Sequence, residues 1–292
     1  MTTIRPRRSV LYMPGSNARA LEKARALPAD ALILDLEDAV APDAKETARL
    51  QVCDAVKAKG FGKREIIVRI NALSTPWGEA DLKAAAEAQP DAILVPKISK
   101  PADLHAIEER LVQHHHLKTI ALWAMVETPA AILHIAAIAA AGGRLAAFVM
   151  GTNDLIKEIR GVHTQDRTNL AAALSLSVLA ARANGLAAID GVYNDIANAD
   201  GFKASCEQAR AFGFDGKTLI HPSQVEPCNG VFAPSADEVE AARKVIAAFA
   251  LPENHGKGAI KLDGRMVELL HAEIARGTVA MADAIAELER NA

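Results

Sequence analysis

The stretch Ala31-Leu32-Ile33-Leu34-Asp35-Leu36-Glu37-Asp38 decides the fold. An aliphatic run that ends abruptly in carboxylates reads as a buried strand entering a loop, and residues 44–59 after it carry a helical period. Strands of parallel sheets are buried on both faces and appear as such near-continuous apolar runs, so strand and helix together form one βα unit. Working outward in both directions, the same alternation recurs. Apolar runs at 9–13, 31–36, 65–70, 92–96, 120–126, 146–150, 187–190 and 218–220 are each followed by a helical pattern, at 18–27, 44–59, 79–88, 102–114, 130–141, 167–184, 199–212 and 237–249. Eight such pairs close into a (β/α)8 barrel. A doubly wound sheet needs fewer strands and usually a G-x-G-x-x-G turn, which this chain lacks.

The barrel is expected over residues 1–250. The linker 252–258, rich in Pro, Asn and Gly, leads to a C-terminal helical extension over 251–292, with helical patterns at 265–275 and 279–289. This extension is not needed to close a barrel and is free to pack on a neighbouring subunit.

Composition excludes several function classes. The chain carries 33 Lys plus Arg against 36 Asp plus Glu, a net charge of -3, which gives no broad footprint for nucleic acid or an anionic membrane. Its three cysteines, Cys53, Cys206 and Cys228, are odd in number and show no C-x-x-C spacing, which argues against a disulfide framework or a thiolate metal site. With no signal-peptide pattern at the start and no run of about 18 apolar residues, the expectation is a soluble cytoplasmic protein.

In a βα barrel the catalytic groups lie where strands end, so the polar residues just past each apolar run carry the chemistry. After the first run, Pro14-Gly15-Ser16-Asn17 reads either as a plain turn with a helix cap or as an anion cradle. Asp35, Glu37 and Asp38 concentrate negative charge at a buried strand end, which calls for a cation nearby. Arg69, set among β-branched residues, needs a carboxylate partner or an anionic ligand, so an ion pair with Asp35 or Glu37 and a substrate-binding role both stand. Lys97 reads as an electrostatic or structural lysine. Glu127 and Asp154 follow adjacent strands with no histidine beside them, which suits Mg2+ held by one or two carboxylates rather than zinc. His114-His115-His116 ends a helix on the opposite face and reads as a solvated terminus.

Arg8-Ser9-Val10-Leu11 with Pro14-Gly15, Asp35 to Val40, Val68-Arg69-Ile70-Asn71, Glu127-Thr128-Pro129, Gly151-Thr152-Asn153-Asp154-Leu155 and Gly216 to Pro222 occur in an order and spacing that resemble the citrate lyase β-subunit-like family. This family includes the malyl-CoA and citramalyl-CoA lyases within the HpcH/HpaI aldolase superfamily. The resemblance implies a Mg2+-dependent carbon-carbon lyase that cleaves a carboxylated 3-hydroxyacyl-CoA to acetyl-CoA and a 2-oxo acid, assembled as a homotrimer or hexamer. It implies Glu127 and Asp154 as metal ligands, Arg69 as a catalytic and substrate-binding arginine, and Glu37 and Asp38 as carboxylates that hold metal-bound water. Arg8, Arg19 and Lys23 become the expected partners of the coenzyme A phosphates.

One position departs from the pattern. The family's C-terminal Met-hydrophobic-Asp segment, whose Asp serves a neighbouring subunit as acid or base, reads here Met266-Val267-Glu268. Glu268 is the expected catalytic replacement, one methylene longer, with Asp263 a second candidate outside the motif. Three alternatives stand beside the lyase: a citrate lyase β subunit acting on a citryl thioester of an acyl-carrier protein, a class II aldolase on free hydroxy-keto acids, and a non-catalytic CoA-binding barrel.

Overall fold

The computed structural model describes residues 4–113 and 120–290, so the His114-His115-His116 tract lies outside the described residues. Eight parallel strands close a barrel in sequence order: β1 (Ser9–Pro14), β2 (Ala31–Asp35), β3 (Glu65–Arg69), β4 (Ala92–Val95), β5 (Ala121–Val126), β6 (Leu145–Met150), β7 (Ala187–Asp190) and β8 (Gly216–Leu219). Closure comes from β8 pairing in parallel with β1, Val10 opposite Thr218. The intervening segments form α1 (Ala18–Ala24), α2 (Lys45–Ala58), α3 (Gly78–Ala88), α4 (Pro101–Gln113), α5 (Pro129–Leu133), α6 (Ile135–Ala139), α7 (Thr152–Glu158), α8 (Ala171–Ala183), α9 (Ala199–Phe212) and α10 (Val225–Phe232).

The strand period of two separates the chain into two cores. Val10, Ile33, Ile67, Leu94, Trp123 and Val149 fill the barrel interior. Leu11, Leu32, Leu34, Val68 and Leu122 face the helices instead. The same parity carries Tyr12, Asp35, Arg69 and Glu127 inward at the C-terminal mouth, each two residues beyond an inward apolar neighbour.

Helical boundaries differ from expectation at several places, and α7 stands where no helix is expected. The segment after β8 is α10, which packs on β8 and β1 and fills the eighth helical position. The helical pattern at 237–249, expected there, lies outside the barrel. The 130–141 pattern is broken at His134 into α5 and α6, with Thr128 capping α5 by accepting from the Ala131 N–H ahead of Pro129. A further difference lies beyond the barrel.

The chain divides between Phe232 and Ala233 into two compact units, whereas the sequence put that boundary at 250. The second unit contains residues 4–6 and 233–290. Helix α11 (Ala236–Ala250) starts with a capping box between Ser235 and Glu238 and packs against α12 (Leu269–Arg290). Between them lies an antiparallel hairpin, β9 (Ala259–Leu262) and β10 (Arg265–Glu268), where a helix had been expected from residue 265. Its two-residue turn, Asp263-Gly264, takes φ of 49° and 79°, the left-handed pair that a type I′ hairpin requires. Ile260 pairs with Val267 on the packed face, so Met266 and Glu268 belong to the opposite one. Met266, Leu269, Leu270 and Ile274 are all at least half exposed. Among the described residues no helix is long and apolar enough to cross a membrane.

Candidate active site

At the mouth of the barrel, two charge clusters border a cavity of about 310 Å³, whose lining includes Tyr12, Asp35, Arg69, Glu127 and Asp154. The first cluster is built on β2 and β3. Arg69 donates through Nε and NH2 to the two oxygens of Asp35 at 2.6 and 2.7 Å, a planar two-point pair. Asp35 in turn accepts from the backbone N–H groups of Glu37 and Ala39, so the loop after β2 is tied to the carboxylate that begins it. The Arg69 NH1 lies 2.9 Å from Glu37 Oε2 and 3.7 Å from Asp38 Oδ2. Arg69 is therefore ion-paired with Asp35 and at the same time lines the cavity.

Burial raises the pKa of Glu37 to about 8; Arg69 opposes the shift, and Asp38, Glu127 and Asp35 add to it. Its Oε2 is buried without a hydrogen bond in good geometry, despite the short ion-pair distance to Arg69.

Lys45, the first residue of α2, fixes this loop from beneath. Its buried ammonium donates to the carbonyls of Leu36 and Glu37 and to Asn71 Oδ1, at 2.7 to 2.8 Å. Asn71 in turn donates to Leu36 O and to Asp81 Oδ2.

The second cluster joins β4, β5 and α7. Lys97 Nζ lies 2.9 Å from Asp154 Oδ2 and 3.5 Å from Glu127 Oε2. The Lys97 backbone, at a left-handed φ of 57°, directs its N–H to Glu127 Oε1 at 2.7 Å. Burial raises the pKa of Glu127, with Lys97 opposing. Burial also works against the charge on Lys97, but Glu127 and Asp154 outweigh it and its pKa rises. Gly151 is obligatory here: a Cβ at that position would run into the Glu127 side chain, 2.7 Å from Oε2. Asp154 stands in the first turn of α7, where the helix dipole favours a carboxylate.

These residues fit a hard divalent cation. Glu127 and Asp154 already share one cationic atom, their donors are oxygens, and the open cavity leaves room for waters. No group of three or more His, Cys, Asp or Glu placed to hold a metal ion occurs among the described residues; Glu127 and Asp154 offer oxygen donors, the ligand type that magnesium takes.

The remaining expected residues scatter. Arg8 is 4% exposed at the opposite, N-terminal end of β1, where its guanidinium makes a two-point pair with Asp30. Its assignment to coenzyme A phosphates is thus corrected: buried and neutralised, it cannot meet a ligand at the mouth. Arg19 and Lys23 are exposed one turn apart on α1, after the first βα loop. Glu268 lies in the second unit on β10, partly exposed, with its backbone N–H donating to His271 Nδ1. Asp263 is a turn residue of that hairpin. The sequence reading passed over Tyr12 and Lys45. The parity from Val10 could have found the first, whereas nothing local marks the second.

The chain is similar to known proteins along most of its length. The family model described as HpcH/HpaI aldolase/citrate lyase matches residues 8–222. A (3S)-malyl-CoA thioesterase of Cereibacter sphaeroides is 52% identical over 281 residues, covering 96% of each chain. The citrate lyase subunit beta of Escherichia coli is 35% identical over 90% of this chain and 89% of its own. Among solved structures, CitE from Mycobacterium tuberculosis in complex with magnesium, acetoacetate and coenzyme A superposes with a TM-score of 0.77 at 30% identity, covering 94% of this chain and 97% of that one.

Proposed function

The chain belongs to the HpcH/HpaI aldolase/citrate lyase family, and on that premise we propose that it hydrolyses a carboxylated 3-hydroxyacyl-CoA of the (3S)-malyl-CoA class with Mg2+ held by Glu127 and Asp154. The observation that carries the reading is the match, at 52% identity over 96% of each chain, to a relative named for hydrolysis of that thioester. The mouth supports it: a two-carboxylate cation site facing Arg69 suits a substrate with a carboxylate and a neighbouring hydroxyl. Bound Mg2+ supplies Lewis-acid polarisation of substrate oxygens.

The protein's own groups do the rest. Arg69, held rigid by Asp35, directs its remaining N–H donors to the substrate carboxylate. Glu37 and Asp38 orient water beside it. Arg19 and Lys23 hold the coenzyme A phosphates. Glu268 of a neighbouring copy takes the proton of the attacking water, its hairpin seated there through the exposed Met266, Leu269, Leu270 and Ile274 in a trimer or hexamer.

Carbon-carbon cleavage of the same thioester is the second reading, favoured by the citrate lyase subunit beta relative. The products separate the two. With (3S)-malyl-CoA and Mg2+, hydrolysis yields malate and free coenzyme A, and cleavage yields glyoxylate and acetyl-CoA. Acetyl-CoA as the product sinks the hydrolytic reading, and turnover of a citryl acyl-carrier-protein thioester alone moves the carrier from coenzyme A to that protein. Mixed oligomers of Glu268→Ala and Glu127→Ala chains regain activity where the site is shared between copies; no regain removes Glu268 from it.

A further inference from the structure

Tyr12 stands two residues after Val10 on β1 and faces the barrel axis with it. Its ring packs on the Arg69 guanidinium, 4.7 Å from centroid to Cζ. The hydroxyl borders the same cavity as Glu127 and Asp154, and its one hydrogen-bond partner among the described residues is the Met125 thioether at 3.6 Å, a weak acceptor. Several other side-chain donors around this cavity are committed to protein partners. Arg69 is paired with Asp35 and Glu37, Lys97 with Glu127 and Asp154, Asn153 with Asn194, and Thr218 Oγ1 donates to the Asp190 carbonyl.

Building on the hydrolytic reading above, we propose that Tyr12 is a catalytic residue whose Oη–H donates to the thioester carbonyl oxygen at the barrel axis. In that step water oxygen bonds to the carbonyl carbon and the π pair moves onto the oxygen facing Tyr12. Return of the pair breaks the carbon–sulfur bond, and the proton lost by water ends on the departing sulfur. Tyr12 keeps its own proton throughout. Burial drives its pKa well above the ordinary phenol value, with Arg69 opposing and Asp35, Glu127 and Glu37 adding to the rise, so it remains a donor. A donor aimed at the oxygen where charge develops lowers the barrier more than it tightens substrate binding.

Tyr12→Phe tests this cleanly, because the ring and its stacking on Arg69 are preserved. With (3S)-malyl-CoA the expected result is a fall in kcat of about 10- to 100-fold with KM changed by no more than about twofold, at an unchanged melting temperature. Wild-type kcat overturns the proposal, as does a loss confined to KM. A second measurement is independent of turnover: calorimetric binding of oxaloacetate with Mg2+, whose distal carboxylate oxygen stands in for the thioester carbonyl. Binding at least about threefold weaker in Tyr12→Phe supports the contact, and equal affinity overturns it. Absence of hydrolysis in the wild-type protein, with that difference in binding preserved, counts against the proposed reaction and not against the contact.

Discussion

Two three-membered charge clusters in the barrel have opposite stoichiometry. Behind the sheet, on the side where Leu219 packs, Asp190 is held by Lys217 Nζ at 2.6 Å and by Arg167 NH1 at 2.8 Å: one carboxylate between two cations. At the mouth, Glu127 and Asp154 share Lys97: two carboxylates on one cation. The first is sealed, with Asp190 and Lys217 fully buried. The second opens on the cavity, with the Lys97 side chain 37% exposed. Their protonation responds accordingly. Burial works against charge on Asp190, yet its cations outweigh burial and lower its pKa, whereas at Glu127 burial prevails and the pKa rises. A cluster with surplus positive charge behind the sheet holds the chain together, while the one with surplus negative charge at a strand end is the one we propose for a divalent ion.

Cutting one carboxylate from each cluster is the strongest way to break this contrast. Asp190→Ala leaves Lys217 buried and Arg167 half-buried without their anion, and the loss expected is about 3 to 5 kcal/mol of stability, read as a large fall in the thermal midpoint. Glu127→Ala is expected to lower turnover by about 10²- to 10³-fold while shifting the midpoint far less. Similar midpoints for the two variants would erase the distinction between a structural and a functional cluster.

Why the mouth was legible and the back of the sheet was not follows from strand parity. Asp35, Arg69 and Glu127 each continue an inward-facing alternation past its last apolar residue, so a polar group there has no bland environment to occupy. Lys217 and Asp190 lie on strands too short for an alternation to stand out, and their partner Arg167 comes from a loop. The pairing of Arg69 with Asp35 was one of two readings, because sequence cannot say how many donors a guanidinium has left. Arg8 misled for the opposite reason: it precedes β1, at the end of the barrel away from the mouth, and Asp30 neutralises it there. In the second unit the helical period of 265–275 concealed the Asp263-Gly264 turn, although such a dipeptide between apolar residues is a strong hairpin signal. The length and pairing of the strands, once eight apolar runs were counted, left little else for the barrel to be.

The pH dependence of stability divides the same way and is a smaller effect. Asp190, with its folded pKa below the unfolded value, contributes stability that is complete above about pH 4 and is lost as the pH falls through the folded pKa. The gap in denaturation midpoint between wild type and Asp190→Asn should therefore narrow on acidification below about pH 4. Glu37, raised to about 8, acts with the opposite sign. Between its unfolded value near about 4.3 and its folded value, the unfolded chain has released a proton that the folded protein keeps, so stability declines as the pH rises. In chelator, Glu37→Gln should gain on wild type from pH 5 to pH 8 and then level off. A parallel pair of pH profiles would mean that Glu37 is ionised in the fold.

Lys97 offers the finest adjustment, because it alters the mouth without emptying it. Its ammonium lies within 3.5 Å of both proposed metal ligands and so competes with a divalent ion for their charge. Its backbone N–H, which orients Glu127, does not depend on the side chain. Lys97→Met should therefore keep the carboxylate in place and bind Mn2+ on the order of tenfold more tightly by calorimetry, with a melting temperature close to wild type in chelator. Weaker binding would assign the ammonium to holding the carboxylates in register. In that case the two clusters would differ in stoichiometry alone, and Lys97 would serve the mouth as Lys217 serves the back of the sheet.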